Sequence, residues 1–286
     1  MVKSGEDRVV DAVVYLLLAL VGIVTLFPLL YVVSVSLTPY EEVLRRGGYV
    51  VVPSSITFAA YQKLLSRPDM LRALGVNLFI TLAGTPINLA LTALMAYPLS
   101  RRNLPGRRWL TLLVVFTLLF SGGMIPTYLV VKSVGLLDSL WAMIIPTAIG
   151  TFSLLVMKSF FEESLPEEIL ESARMDGASE WRILFQMVLP LSLPVFLTVG
   201  LFYAVNHWNE FYQALLYVTD RNLQPLQILI RAILRSNEQI SSPEVLIPTV
   251  TLQMAAVVIA SLPVIIVYPF IQKHFVKGVM LGSVKG

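Results

Sequence analysis

AVVYLLLALVGIVTLFPLLYVVSVSLTPY, residues 12–40, runs for 29 positions without an Asp, Glu, Lys or Arg. About 20 apolar residues in helical conformation cross the hydrocarbon core of a bilayer, so this stretch reads as a transmembrane helix. Five more charge-free runs follow, at 73–100, 109–131, 139–157, 183–209 and 245–272; the shortest holds 19 residues. The composition agrees: 56% of the 286 residues are apolar, only 14% are charged, and the mean hydropathy is +0.77. A soluble chain carries about 25% charged residues, so this one cannot coat a water-facing surface. A backbone in lipid must satisfy its own hydrogen bonds, which leaves helices or a closed barrel. Barrel strands are short and alternate in polarity, unlike these runs. The expectation is an all-α integral membrane protein, with six transmembrane helices in one domain over 1–286.

Lys3 and Arg8 precede the first run, as in a secretory signal. Its length far exceeds the roughly 7–15 apolar residues of such a signal, so it reads as a retained helix. The chain has no cysteine, which removes disulfides and Cys-based metal sites. A net charge of +3, scattered along the chain, does not point to nucleic acid.

Basic residues in short loops set orientation. RRNLPGRR, residues 101–108, packs four arginines between two membrane ends, and the segment after the last run carries Lys273, Lys277 and Lys285. These place both termini, the second loop and the fourth loop in the cytoplasm. The long first loop has Arg45, Arg46, Lys63, Arg67 and Arg72 on the other side, a mild conflict. Outside, the loops between the first and second runs and between the fifth and sixth, the latter at about 218–244, are long; inside, only the fourth loop, at about 158–186, is long enough to fold.

The membrane runs carry no ionisable residue except His207. Carriers driven by ion gradients place such groups at membrane depth, so uphill transport here would need energy from a partner. Gly122, Gly123, Pro126, Pro146, Gly150, Pro190 and Pro194 predict kinks in the third to fifth runs. Asn77, Asn88, Thr249, Thr251 and Gln253 either line a hydrophilic path or hold helices together.

FEESLPEEILESARMDGASEWRI, residues 161–183, is the one dense acidic stretch. Ser164 followed by Glu167 predicts a capping box. Leu165, Ile169, Leu170 and Ala173 then recur on one helical face. Asp176-Gly177 predicts a stop, because Gly takes the left-handed conformation that ends a helix, and Ser179 is placed to cap a second helix. A helical hairpin with Glu162, Glu163, Glu167, Glu168 and Glu171 would be repelled by anionic lipid. It suits a groove on a partner protein better than a membrane surface.

Glu171-Ser172-Ala173, Gly177 and Leu189-Pro190, at their spacing, resemble the EAA loop of ABC importer permeases. The family pattern has Ala where this chain has Ser172 and Ile where it has Met187. Asp176-Gly177-Ala178, LPLSLP at 189–194 and WNEF at 208–211 look like the carbohydrate branch, and VKG at 284–286 is similar to the end of a maltose-type permease subunit. FSGGMIPTY at 120–128 resembles a subgroup serving larger or acidic oligosaccharides, alginate among them.

The resemblance implies a type I ABC importer permease in the bacterial cytoplasmic (inner) membrane. Its partners would be a second permease, two cytoplasmic ATPase subunits and an external binding protein, with ATP and Mg held by the ATPases. This chain has no G-x-x-x-x-G-K-[ST] phosphate loop, and no catalytic or metal-ligating set is expected in it. Carried over residue by residue, Glu171, Ala173, Asp176, Gly177, Ala178, Leu165, Ile169 and Leu170 would couple to the ATPase. Tyr203, Asn206, Trp208, Asn209, Phe211 and Tyr212 would line the substrate route, and Arg231 and Arg235 would meet the binding protein. A permease for amino acids or peptides is the nearest alternative; a self-sufficient carrier is disfavoured by the absence of membrane-embedded charge.

Overall fold

A computed structural model describes residues 5–235 and 250–283, with side chains from residue 10 onward up to 235 and again over 250–267 and at 269. Every regular element among the described residues is helical. In chain order these are α1 (Gly5–Ser36), α2 (Tyr40–Arg45), α3 (Ala59–Leu65), α4 (Pro68–Ser100), α5 (Arg107–Leu119) and α6 (Met124–Ser133). Two 3₁₀ turns over Leu140–Met143 and Ile145–Thr147 lead into α7 (Thr151–Ser164), α8 (Glu167–Met175) and α9 (Glu180–Ile183). A π turn at Leu184–Val188 joins α10 (Leu189–Leu191) and α11 (Leu193–Trp208). Then come α12 (Tyr212–Tyr217), α13 (Leu226–Arg235) and α14 (Val250–Ser283). The expectations at Thr249, at 236–244 of the outer loop and at 284–286 lie outside the described residues, as do the side chains of Lys273 and Lys277.

Three helical stretches, Val10–Ser36, Pro68–Ser100 and Val250–Val267, are each long and apolar enough to cross a membrane. The other three runs are broken. Arg107–Leu119 and Met124–Ser133 meet at 113°, Leu140–Thr147 and Thr151–Ser164 at 50°, and Glu180–Leu191 and Leu193–Trp208 at 83°. The structure therefore holds three to six spans. The predicted kinks are sharper than kinks. Gly123 stands at φ +91° as the N-cap of α6, a conformation that only glycine adopts freely. Ser192 closes α10 by donating its N–H to the Val188 and Leu189 carbonyls, and Pro194 restarts the helix at its first turn.

The chain divides into two compact units. One comprises Met1–Met70 and Ile230–Leu262. Within it the first loop folds back on the end of α1: Tyr31 donates to the Gly48 carbonyl at 2.7 Å, and the Ser36 and Tyr61 hydroxyls pair at 2.6 Å. Val35, Val43 and Val50 form its core with Val250 and Met254 alongside. Gln253 donates to the Ile233 and Leu234 carbonyls, so this polar residue joins two helices rather than facing a path.

The other unit comprises Leu71–Leu229 and Pro263–Gly286. Its largest core gathers Tyr97 and Leu99 of α4, Met157 and Phe161 of α7, Leu170 of α8, Ile183 and Leu184, and Val199 and Tyr203 of α11. This core sets both the hairpin and the cavity described below.

Candidate functional site: an acidic hairpin and a polar cavity

Helix α8 forms on the predicted residues, but its start differs. Ser164 is the last residue of α7, and the N-cap of α8 is Pro166, which makes no side-chain cap. The capping box does not form because Phe161, fully buried, carries α7 one turn further. The elbow follows the prediction. Gly177 stands at φ +82°, its N–H and that of Ala178 close the helix onto the Arg174 and Ala173 carbonyls, and Ser179 Oγ accepts from the Arg182 N–H.

Leu165 and Leu170 are turned inward. Leu170 is 1% exposed and packs in the core with Ile183 and Leu184, with Ala173 and Ala178 against its edge. The expectation that this face docks on a partner is corrected for Leu165 and Leu170, because the chain's own core covers them. Burial of one Leu is worth about 2 kcal/mol and an exposed ion pair about 0–1 kcal/mol, so the apolar side decides which way α8 faces. Ile169, Glu171, Asp176 and Gly177 face outward, and Met175 is 90% exposed.

Charge fixes the hairpin to its neighbours. Arg107 pairs with Glu162 and donates to the Leu99 carbonyl at 2.9 Å, while Lys158 reaches Glu162 at 2.8 Å. Arg102 stands 3.9 Å from Glu167, and Tyr97 donates to Glu180 at 2.6 Å. The arginine-rich second loop and the acidic fourth loop thus meet, so the two share one side of the chain. Arg174 donates to Glu180 at 2.7 Å; that bond holds the Glu180 carboxyl below the usual carboxylate range and pushes the Arg174 guanidinium up. Glu171 makes no ion pair among the described residues.

The second feature is a cavity of about 1140 Å³. Tyr203, Asn206, Trp208, Asn209, Phe211 and Tyr212, the six residues expected on a route, all line it. They come from α11, α12 and the turn between them. Across from them stand Thr81 and Asn88 of α4, with Thr117 and Thr151. Its acidic and imidazole groups among the described lining residues are Glu210 and His207.

A seam of neutral hydrogen bonds holds α4 against α11 beside this cavity. Asn77, fully buried, donates to the Trp208 carbonyl at 2.7 Å and accepts from the Leu226 N–H at 2.9 Å. The Asn88 amide meets His207 Nε2 at 3.0 Å. The Thr92 and Tyr203 hydroxyls pair at 2.6 Å, and Tyr203 also accepts from the Gly150 N–H at 2.9 Å. The His207 ring fits because residue 84 is glycine: a Cβ there would stand 2.5 Å from Nε2. Sequence reasoning left Asn77 and Asn88 as path or glue; Asn77 is glue. It passed over Gly84, whose partner lies more than a hundred residues away, and took Glu210 only as part of the WNEF motif; its carboxylate accepts from the Gln213 N–H at 2.8 Å. Arg231 and Arg235 are exposed on α13, in the other unit.

Comparison with known proteins places these features in a lineage. The sequence pattern described as "Binding-protein-dependent transport system inner membrane component" matches residues 7–281. The polygalacturonan/rhamnogalacturonan transport system permease protein YtcP of Bacillus subtilis (strain 168) is 44% identical across 98% of this chain and 100% of its own length. Protein LplC of the same organism is 46% identical across 100% of this chain and 98% of its own. Among solved structures, a chain of a bacterial ABC transporter involved in the import of the acidic polysaccharide alginate superposes with a TM-score of 0.88 at 30% identity. The match covers 96% of this chain and 99% of that one.

Proposed function

This chain belongs to the family of binding-protein-dependent transport system inner membrane components, and from that premise we propose that it is the permease subunit of an ATP-driven importer of oligosaccharides, acidic ones included. In this reading residues 1–286 form one permease domain with six spans, the three bent pairs each counting as one, and both termini lie in the cytoplasm. The chain builds half of a translocation pathway beside a second permease. Two ATPase subunits hold ATP and Mg, and an external binding protein delivers the sugar.

One observation carries the energetic part: an acidic helix–glycine–helix hairpin protrudes from a chain whose membrane runs have no ion pair to do the work. Glu171, Ile169, Asp176 and Gly177 are its outward residues. They would contact the ATPase, with Ala173 and Ala178 at the edge and Leu165 and Leu170 anchoring the helix from behind. Because that anchor is the core shared with α4, α7 and α11, displacement of the hairpin would move the helices that line the cavity, a rigid-body transmission. The six aromatic and amide residues of the cavity would form the route, and Arg231 and Arg235 would meet the binding protein. The names of the related proteins, a polygalacturonan/rhamnogalacturonan transport system permease and a transporter involved in the import of the acidic polysaccharide alginate, support an acidic oligosaccharide as cargo.

The test is reconstitution with the partner subunits in liposomes and uptake of labelled tetragalacturonate. Uptake is expected only with ATP on the hairpin side and binding protein on the other. Uptake without ATP, or stimulation of ATP hydrolysis by amino acids or peptides and not by sugars, would overturn the reading.

A further inference from the structure

Five polar residues lie on one face of α4: Asn77, Thr81, Thr85, Asn88 and Thr92, separated by four, four, three and four positions. At 1.5 Å per residue the row is about 22 Å long. Its two ends are satisfied, Asn77 by the Trp208 carbonyl and the Leu226 N–H, Thr92 by Tyr203. Its middle is not. Thr81 Oγ1, Thr85 Oγ1 and Asn88 Oδ1 are buried without a hydrogen-bond partner.

This is unusual by the chain's own standard. Thr25, Thr127 and Thr198 each turn their hydroxyl back onto the carbonyl four residues earlier, the ordinary way for a helical threonine to satisfy itself. Thr81 and Thr85 do not. Asn88 is 1% exposed and meets His207 through one end of its amide; whichever way the amide is turned, the other end stays free. Buried polar atoms are nearly always paired, and exceptions need a reason. Pro86, inside the same turn, brings no N–H for the Leu82 carbonyl, so the uncommitted groups concentrate at one level of the helix. That level is where the cavity touches α4, through Thr81 and Asn88.

The groups on offer are two hydroxyls and half an amide, uncharged, able to donate and accept. Their complement is a ligand that presents hydroxyls in pairs. We propose that Thr81 and Asn88, with Thr85 beside them, form a hydroxyl-binding subsite for one sugar unit on the α4 wall of the cavity. It rests on the carbohydrate reading above. The satisfied ends of the row hold α4 to α11; the unsatisfied middle is kept for cargo.

The absence of native cysteine makes the test clean. Thr81→Cys and Asn88→Cys are made singly in the assembled importer, with Leu71→Cys as a control in the exposed first turn of α4, outside its charge-free run. The reagent is a water-soluble methanethiosulfonate, and the probes are binding protein loaded with tetragalacturonate or with galactotetraose, added to nucleotide-trapped importer. Labelling at 81 and 88 is expected to slow about tenfold with sugar, as for a site some nine-tenths occupied, while Leu71→Cys labels at an unchanged rate. Equal rates with and without sugar overturn the subsite, whether fast (a water-filled cleft only) or slow (a packing seam only). Should Asn88→Cys not assemble, Thr81→Cys, a swap of one small side chain for another, decides alone. If neither sugar stimulates ATP hydrolysis by the unsubstituted importer, the carbohydrate reading falls and the subsite with it; stimulation without protection removes the subsite alone.

Discussion

The hairpin and the α4–α11 seam solve one problem, how to join helices through polar groups, in opposite ways. At the hairpin every joint is ionised: Arg107 with Glu162, Lys158 with Glu162, Arg174 with Glu180. Along the seam every joint is neutral: Asn77 with a backbone carbonyl, Asn88 with His207, Thr92 with Tyr203. The solvent explains the difference. Water repays an ion its hydration at the membrane face, whereas lipid does not, and a lone charge there is expensive. The consequence is mechanical. Ion pairs open to water, such as Arg102 with Glu167, are worth little; buried neutral bonds are costly to leave unmade, which suits a part that keeps its register.

That contrast predicts a graded set of responses. The largest belongs to the seam: Gly84→Leu drives a side chain into the buried His207 ring, and overpacking of this kind costs about 1–3 kcal/mol or more. Yield of folded protein in detergent is expected to collapse, and a normal yield with unchanged melting would show that α4 and α11 are not held in this register. Asn77→Leu comes next. It strands the buried Leu226 N–H and leaves the Trp208 carbonyl the longer bond from Gln227 at 3.3 Å, and the loss of about 1–3 kcal/mol should appear as a lowered Tm. Tyr97→Phe removes one bond to a half-exposed carboxylate, for about 0.5–1 kcal/mol, and Tm should fall only slightly. Arg102→Ala breaks a 3.9 Å pair whose arginine is 84% exposed, and stability should stay within about 0.5 kcal/mol of the parent. A Tm shift for Arg102→Ala as large as that for Asn77→Leu would erase the distinction between the two regions.

The same distinction marks what the amino-acid sequence discloses. Charge-free runs are visible because lipid excludes ions, and Asp176-Gly177 is visible because a left-handed elbow favours glycine; both are local. The row of Leu165, Ile169, Leu170 and Ala173 shows an apolar face on α8, but periodicity cannot say against what it packs; for Leu165, Leu170 and Ala173 the answer is the chain's own core, while Ile169 stays exposed. Ser164 looked like a cap until the burial of Phe161 extended α7 through it. The 113° break near Gly122-Gly123 read as a kink, because glycine signals freedom and not angle. Gly84 was illegible for the plainest reason: its meaning lies in an imidazole 123 positions along the chain. Tyr203, Asn206, Trp208, Asn209, Phe211 and Tyr212 line one cavity together since five of them fall within 206–212, a short stretch that carries them to one place.

The central claim is that energy enters through the hairpin, and one pull-down tests it most directly. Glu171→Lys reverses the outward charge, and Gly177→Trp puts a side chain at φ +82°, where L residues are strained. The doubly substituted chain should purify with the second permease as before, yet retain about tenfold less ATPase subunit, a loss of about 1.4 kcal/mol in binding, and sugar uptake should cease. Full retention of the ATPase with uptake intact would contradict the account.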